Sequence, residues 1–315
     1  MTELLQHLVD GVSLGAIYAL IALGYTMVYG VLQLINFAHG DVFMLGSMLA
    51  YFLIAPTSAG AWGIFPITAD TPLPLKIGQI LIVLAICMVT MATLNATIER
   101  VAYRPLRNAP KLAPLISAIG MSYVLQNIGL VWGGAYQRTI DSVFPSTNLL
   151  EPLGITTIAV TPAQVFVGAV TIPLLIALSW FVSRTRQGKA MRATAQDPDT
   201  AGLMGVDVNR TIAITFLIGG GLAGAAGVAQ LLYNNYTQYQ LGFRFGLNSF
   251  TAAVLGGIGN LQGAVLGALI IGEVNALSDY YLSPNWTQAI VFGVLIGILV
   301  FRPTGLLGQQ LADRA

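Results

Sequence analysis

The sequence predicts an all-α, polytopic membrane protein with about eight to ten transmembrane segments, broken or re-entrant helices among them. Three observations predict it. Hydrophobic residues make up 56% of the 315 and charged residues 9%, at a mean hydropathy of +0.75, which leaves too little polar surface for a soluble globule of this size. Apolar runs recur at about the 20 residues that a helix needs to cross a bilayer core. Two apolar stretches are interrupted by Asn, Gly and polar residues, as broken helices are. Residues 1–315 read as a single transmembrane domain with a basic cytoplasmic loop at 184–210.

The start of the chain shows no charged n-region or small-residue cleavage site, so the apolar run from Val12 to Tyr29 is expected to remain as a membrane segment. The stretch "INFAHGDVFMLGSM" then breaks the apolar pattern with Asn36, His39, Gly40 and Asp41 before 42–55 resumes it. Asp41 suits the N-cap of the helix that follows. Clear spans come next at 77–97 and 113–133. The first holds Cys87, the sole cysteine, which reads as a small buried hydrophobe and excludes an internal disulfide or thiolate metal cluster. The second holds Gln126 and Asn127, expected to hold helices together. A span at 163–182 contains Pro173, which should kink it.

Two further spans, 211–232 and 286–301, flank an irregular region. "GGGLAGAAG" (Gly219 to Gly227) and the pairs Gly263 with Gly267 and Gly293 with Gly297 place small residues four apart, a spacing that lets helices pack closely in lipid. Within 248–282, about a dozen apolar residues precede "GGIGNLQG" and then a longer helix. A dozen residues span about 18 Å, too few to cross a core of about 30 Å. A half-helix entering the membrane and a second helix leaving it is the expected arrangement. The Gly-rich break then lines a pathway or is buried against a neighbour.

Charge placement sets the orientation. Basic residues cluster in "ERVAYRPLRNAPK" (Arg100, Arg104, Arg107, Lys111) and in "RTRQGKAMR" (Arg184, Arg186, Lys189, Arg192); both loops should face the cytoplasm. Residues 134–162, whose sole basic group is Arg138, then lie outside, as do both ends of 248–282, while Arg302 in "RPTGLLG" lies inside. The net charge of +1 says nothing about an acidic partner, and no nucleic-acid partner is expected.

The basic loop at 184–210 contains a readable helix. Asp197 is a good N-cap, Pro198 suits the first helical position, and Gly205 stops the helix. A helix of about two turns is too short to be stable alone in water, so it must dock. Ala201, Leu203, Met204 and Val206 supply an apolar surface, and the flanking basic residues suit anionic headgroups of membrane lipid. A solvated loop is the plain alternative. An ATP-driven permease uses such an element to contact its motor, and since the chain has no G-x4-G-K-[ST] phosphate loop, that motor would be a separate subunit.

Candidate residues of a solute path are Asn36, His39, Asp41, Asn260, Gln262, Glu273 and Asn275. Glu273 is the acidic group deep in an apolar run, where an ionisable side chain is costly enough to suggest function; a hydrogen bond between helices is its structural reading, and Asn275 shares both. His39 and Asp41 contact solute or gate, or else satisfy backbone at the break, and Asn260 and Gln262 have the same two readings. Tyr233, Tyr236 and Tyr239 suit an interfacial aromatic belt. With His7 near the start and His39 at a break, no Ser-His pair, H-E-x-x-H motif or metal-ligand set appears, so no catalytic residue, metal site or enzyme activity is expected.

The chain resembles the permease subunit, in its H-like form, of the high-affinity branched-chain amino acid (Liv-type) ABC importer family. The resemblance rests on "LGAIYALIALGYTMVYGVLQLINFAHGDVFMLGSM", "IERVAYRPLR", "LISAIGMSYVLQN", "RQGKAMRATAQD", "LMGVDVNR", "FTAAVLGGIGNLQGAVLGALIIG" and "RPTGLLG". It covers nearly the whole chain, with 51–76 and 134–162 matching least.

It implies a multi-pass permease of a bacterial cytoplasmic (inner) membrane, paired with a second permease subunit, paralogue or identical copy. It also implies two cytoplasmic ATPase subunits that hold ATP and Mg, this chain binding no cofactor, and an extracytoplasmic solute-binding protein. Carried onto this chain, the ATPase-coupling residues are Asp197, Pro198, Asp199, Thr200, Ala201, Gly202, Leu203, Met204, Gly205 and Val206. Members commonly carry an acidic residue three positions after the glycine matching Gly272; here Asn275 stands there and Glu273 comes directly after the glycine. The alternatives are a related importer for urea or short amides, or an ion-driven secondary transporter, for which broken helices are equally apt.

Overall fold

The computed structural model describes residues 2–308, apart from 69, 108, 111, 155, 156 and 303; Lys111 of the first basic loop therefore lies outside the described residues. Eleven α-helices carry the described chain: α1 (Thr2–Leu32), α2 (His39–Ile54), α3 (Leu73–Ile98), α4 (Leu112–Gly133), α5 (Pro162–Arg184), α6 (Arg186–Gln196), α7 (Pro198–Leu203), α8 (Val208–Asn234), α9 (Leu241–Gly256), α10 (Leu261–Tyr281) and α11 (Pro284–Phe301). A π-turn at Glu99–Tyr103 and a short 3-10 turn prolong α3. Two short strands, β1 (Arg138–Thr139) and β2 (Tyr236–Thr237), pair antiparallel.

Seven of these helices are long and apolar enough to cross a membrane, and α2 is an apolar helix of 16 residues. The helix α9 has the same length. At about 1.5 Å per residue each short helix covers about 24 Å, less than a core of about 30 Å. The protein is therefore an all-α polytopic membrane protein with broken helices, within the expected range of segments.

The helices α1 and α8 form the centre, and glycine decides how close their neighbours come. A methyl group at Gly224 would lie 2.5 Å from the Cys87 carbonyl oxygen of α3, and one at Gly227 would lie 2.5 Å from the Ser47 nitrogen of α2. Gly263 and Gly267 likewise press on α9 at Gly256 and Ala252. The pair Gly293 and Gly297 departs from expectation: among the described residues nothing lies within 4 Å of a methyl at either, because α11 flanks the bundle and these positions face away from it. The helix α5 runs through Pro173 without ending.

The two ends of the bundle differ in charge. One gathers Arg100, Arg104 and Arg107 after α3, the basic residues of α6, and Arg210 and Arg302; there Arg107 meets Asn209 at the start of α8. At the other end, Gln6 reaches the backbone of Ala159, Gln164 donates to Asp10 at 2.7 Å, and the strands pair.

The placement of the second break differs from the sequence expectation. "GGIGNLQG" sits at the basic end, where Leu306 and Leu307 donate backbone hydrogen bonds to Leu255 and Gly256 and the Asn260 side chain donates to the Leu307 carbonyl. The irregular stretch that descends into the bundle is instead 238–240, between β2 and the start of α9. That start lies level with the start of α2, since Gly242 and Gly246 both press on Gly40. His39 in turn packs on Gly24 and on Gly219, midway along α8. From this shared level α2 runs toward the end that carries the strands, past Gly227, and α9 toward the basic end. Two short helices thus meet N-terminus to N-terminus within the bundle.

Candidate translocation cavity and coupling segment

Where the two half-helices meet, a cavity of about 680 Å³ opens between α4 and α9. Asp41, in the first turn of α2, lines it from one side; Ser122 and Gln126 of α4 and Gln238, Gln240 and Arg244 line it with polar groups. Tyr25, Phe37, Ile119, Phe243 and Phe250 supply much of its apolar wall. No side chain caps the N-terminus of α2 or of α9, so both helix dipoles present their positive ends here.

Asp41 does not cap α2, contrary to the sequence expectation. The cap position is Ala38, and the Asp41 carboxylate instead accepts a hydrogen bond from the Ser122 hydroxyl, which accepts one from Gln126 Nε2 at 3.1 Å. Its second oxygen, Oδ1, has no hydrogen-bond partner among the described residues although Asp41 is only 1% exposed. Gly242 permits this approach, because a methyl there would sit 2.6 Å from that oxygen.

Of the seven residues expected on a solute path, Asp41 alone lines this cavity. His39 is fully buried against Gly24 and stands edge-on to the Tyr25 ring at 5.0 Å. Asn36 accepts a hydrogen bond from the Tyr103 hydroxyl at 2.7 Å and ties the break to the end of α3. Asn260 caps α10 through the backbone nitrogens of Gln262 and Gly263. Gln262 lines a smaller, mostly apolar hollow with Leu23 and Leu175. Glu273 lies half-buried against Gly11 of α1, while Asn275 is buried on another face of α10. Asn127 bonds to the Tyr123 carbonyl of its own helix and so does not tie helices together.

Ser122, Gln126, Gln238, Gln240 and Arg244 are cavity residues that sequence reasoning left out of the path. The signal that could have found the last three is the polar run "YNNYTQYQ" directly before a helix with an arginine in its first turn, which no apolar span explains.

At the basic end the segment expected to contact an ATPase, 197–206, folds as its residues dictate. The Asp197 carboxylate accepts from the backbone nitrogens of Asp199 and Thr200 at 3.0 and 3.2 Å, and Pro198 opens α7. Gly205 adopts φ +84°, a left-handed conformation that suits glycine. The Val206 nitrogen then closes back onto the Ala201 carbonyl. The apolar residues split into two sets: Ala201 is buried against the bundle, whereas Leu203 and Met204 are 88% and 82% exposed. The basic stretch before it is itself a helix, α6, capped by Thr185.

Two short helices meeting tip to tip at a half-open cavity, on a bundle of apolar helices long enough to cross a membrane, are features of a transport permease. The chain belongs to the family described as branched-chain amino acid transport system, permease component, which it matches over residues 7–299. It is 40% identical over 310 residues to the high-affinity branched-chain amino acid transport system permease protein BraD of Pseudomonas aeruginosa, covering 98% of this chain and 97% of that protein. The corresponding LivH protein of Escherichia coli K12 is also 40% identical, over 312 residues and the same shares. A probable LivH of Methanocaldococcus jannaschii is 28% identical over 91% of this chain and 85% of that protein. The solved complex of PsaBC from Streptococcus pneumoniae with Fab aligns at a TM-score of 0.40 and 14% identity over 96% of this chain and 91% of that one, too distant a likeness to bear on the fold.

Proposed function

We propose that the chain is one permease subunit of an ATP-driven importer of branched-chain or other neutral amino acids in a cytoplasmic membrane, its basic end facing the cytoplasm. The relatives at 40% identity over almost their full length are permeases of branched-chain amino acid transport. The positive-inside rule places the basic loops in the cytoplasm. The whole chain acts as one permease domain with its coupling loop at 184–210. Its partners are a second permease subunit, a paralogue or another copy, two ATPases that hold ATP and Mg, and an extracytoplasmic solute-binding protein.

The observation that carries this reading is α7. Its capped start and glycine stop set the ends of the helix and its buried Ala201 seats it on the bundle, while Leu203 and Met204 remain exposed. Exposed large apolar side chains on a fixed support mark a protein contact. Movement of an ATPase docked there transmits to α8, which starts at Val208 directly after the segment.

Cys87 is the sole cysteine and is buried, so a cysteine placed at Leu203 reports alone. Leu203→Cys in the assembled complex should cross-link to an ATPase and to no other protein. Cross-linking confined to lipid or to the solute-binding protein would refute the assignment.

A further inference from the structure

We propose that the cavity between the tips of α2 and α9 is a binding site for a zwitterionic α-amino acid in transit, with Asp41 taking the α-ammonium group and Arg244 the α-carboxylate. The inference rests on the amino acid importer reading above and assigns the contacts that reading leaves open.

Asp41 is a buried carboxylate whose Ser122 bond occupies one oxygen and whose other oxygen lies against Gly242 at the cavity wall, with no hydrogen-bond partner among the described residues. A buried carboxylate lone pair with no donor is costly unless something supplies one. An ammonium group has three donors and the opposite charge. Arg244 is the cationic residue lining the same cavity, and it stands in the first turn of α9, whose uncapped N-terminus adds positive potential for an anion. One acidic and one basic residue lining the same cavity complement a zwitterion better than a singly charged solute. The rest of the wall, with Phe37, Ile119 and Phe250, is apolar and receives a hydrocarbon side chain. The contacts are few, which suits a transit site that must also release.

The test uses the assembled permease pair with its ATPases in detergent, and three probes: L-leucine, 3-methylbutylamine, which lacks the carboxylate, and 4-methylpentanoate, which lacks the ammonium. Saturation-transfer NMR on the wild-type complex should show L-leucine contacting the protein more strongly than either analogue. Asp41→Asn should reduce the leucine and amine signals at least tenfold and spare 4-methylpentanoate; Arg244→Gln should do the reverse with the two analogues. Arg244 is exposed and outside the packed core, so its variant carries the test even if Asp41→Asn fails to assemble. Spectra unchanged in both variants, in a complex whose wild type takes up L-leucine with ATP, would overturn this inference alone. Wild-type complex that takes up no L-leucine would overturn the importer reading and this inference with it.

Discussion

Arg107 and Glu99 form an ion pair at the turn that ends α3, and the same guanidinium donates to Asn209 Oδ1 at 2.5 Å at the start of α8. Glu99 is 2% exposed there. Burial pulls the Arg107 pKa below its usual range and the Glu99 carboxylate opposes that pull. The pair thus ties the turn after α3 to the start of α8.

Arg107→Ala should therefore destabilise the protein by about 3 kcal/mol, since it strands a buried carboxylate. Adding Glu99→Gln should recover part of the loss. Thermal unfolding of the detergent-solubilised protein reads both; a double variant no more stable than Arg107→Ala would contradict the pairing.

Glycine spacing gives a contrast within one fold. Gly224→Val should cost about 1–3 kcal/mol by driving a branched side chain into the Cys87 backbone. Gly293→Ala, with nothing near it in this chain, should stay within about 0.5 kcal/mol. Equal thermal shifts for the two would mean that α8 does not pack as described.

Asn95 donates to the Phe216 carbonyl at 2.7 Å, joining α3 to α8 in the buried centre. Asn95→Leu should lower stability by about 1 kcal/mol, the scale of hydrogen bonds between membrane helices. Unchanged unfolding would show the bond to be dispensable.

Much of this was legible in the sequence because lipid imposes strict rules. The spans, the basic end and the capped helix at 197 follow from apolar length, charge placement and the Asp-Pro corner. The second break was misplaced because glycine serves two purposes: at Gly257 and Gly263 it permits close contact with 307–308 and with α9, not an opening at depth. The cavity was half legible. Asp41 stood out as an acid at a break, whereas Ser122 and Arg244 become its neighbours only through the packing of α4 and α9, contacts made by residues 81 or more positions away along the chain.

Gly205→Pro should abolish uptake while leaving membrane insertion and basal ATP hydrolysis intact, because proline cannot adopt the φ of +84° that turns the chain out of α7. Uptake at wild-type rate by a properly inserted Gly205→Pro protein would show that the turn is not part of the coupling path.

The most direct test is uptake by proteoliposomes holding this chain with its second permease subunit, two ATPases and solute-binding protein. The account predicts that L-leucine accumulates against its gradient only with ATP and the ATPases present, and that Leu203→Asp with Met204→Asp stops accumulation while the complex still inserts. Accumulation by the permease alone, driven by an ion gradient, would contradict it.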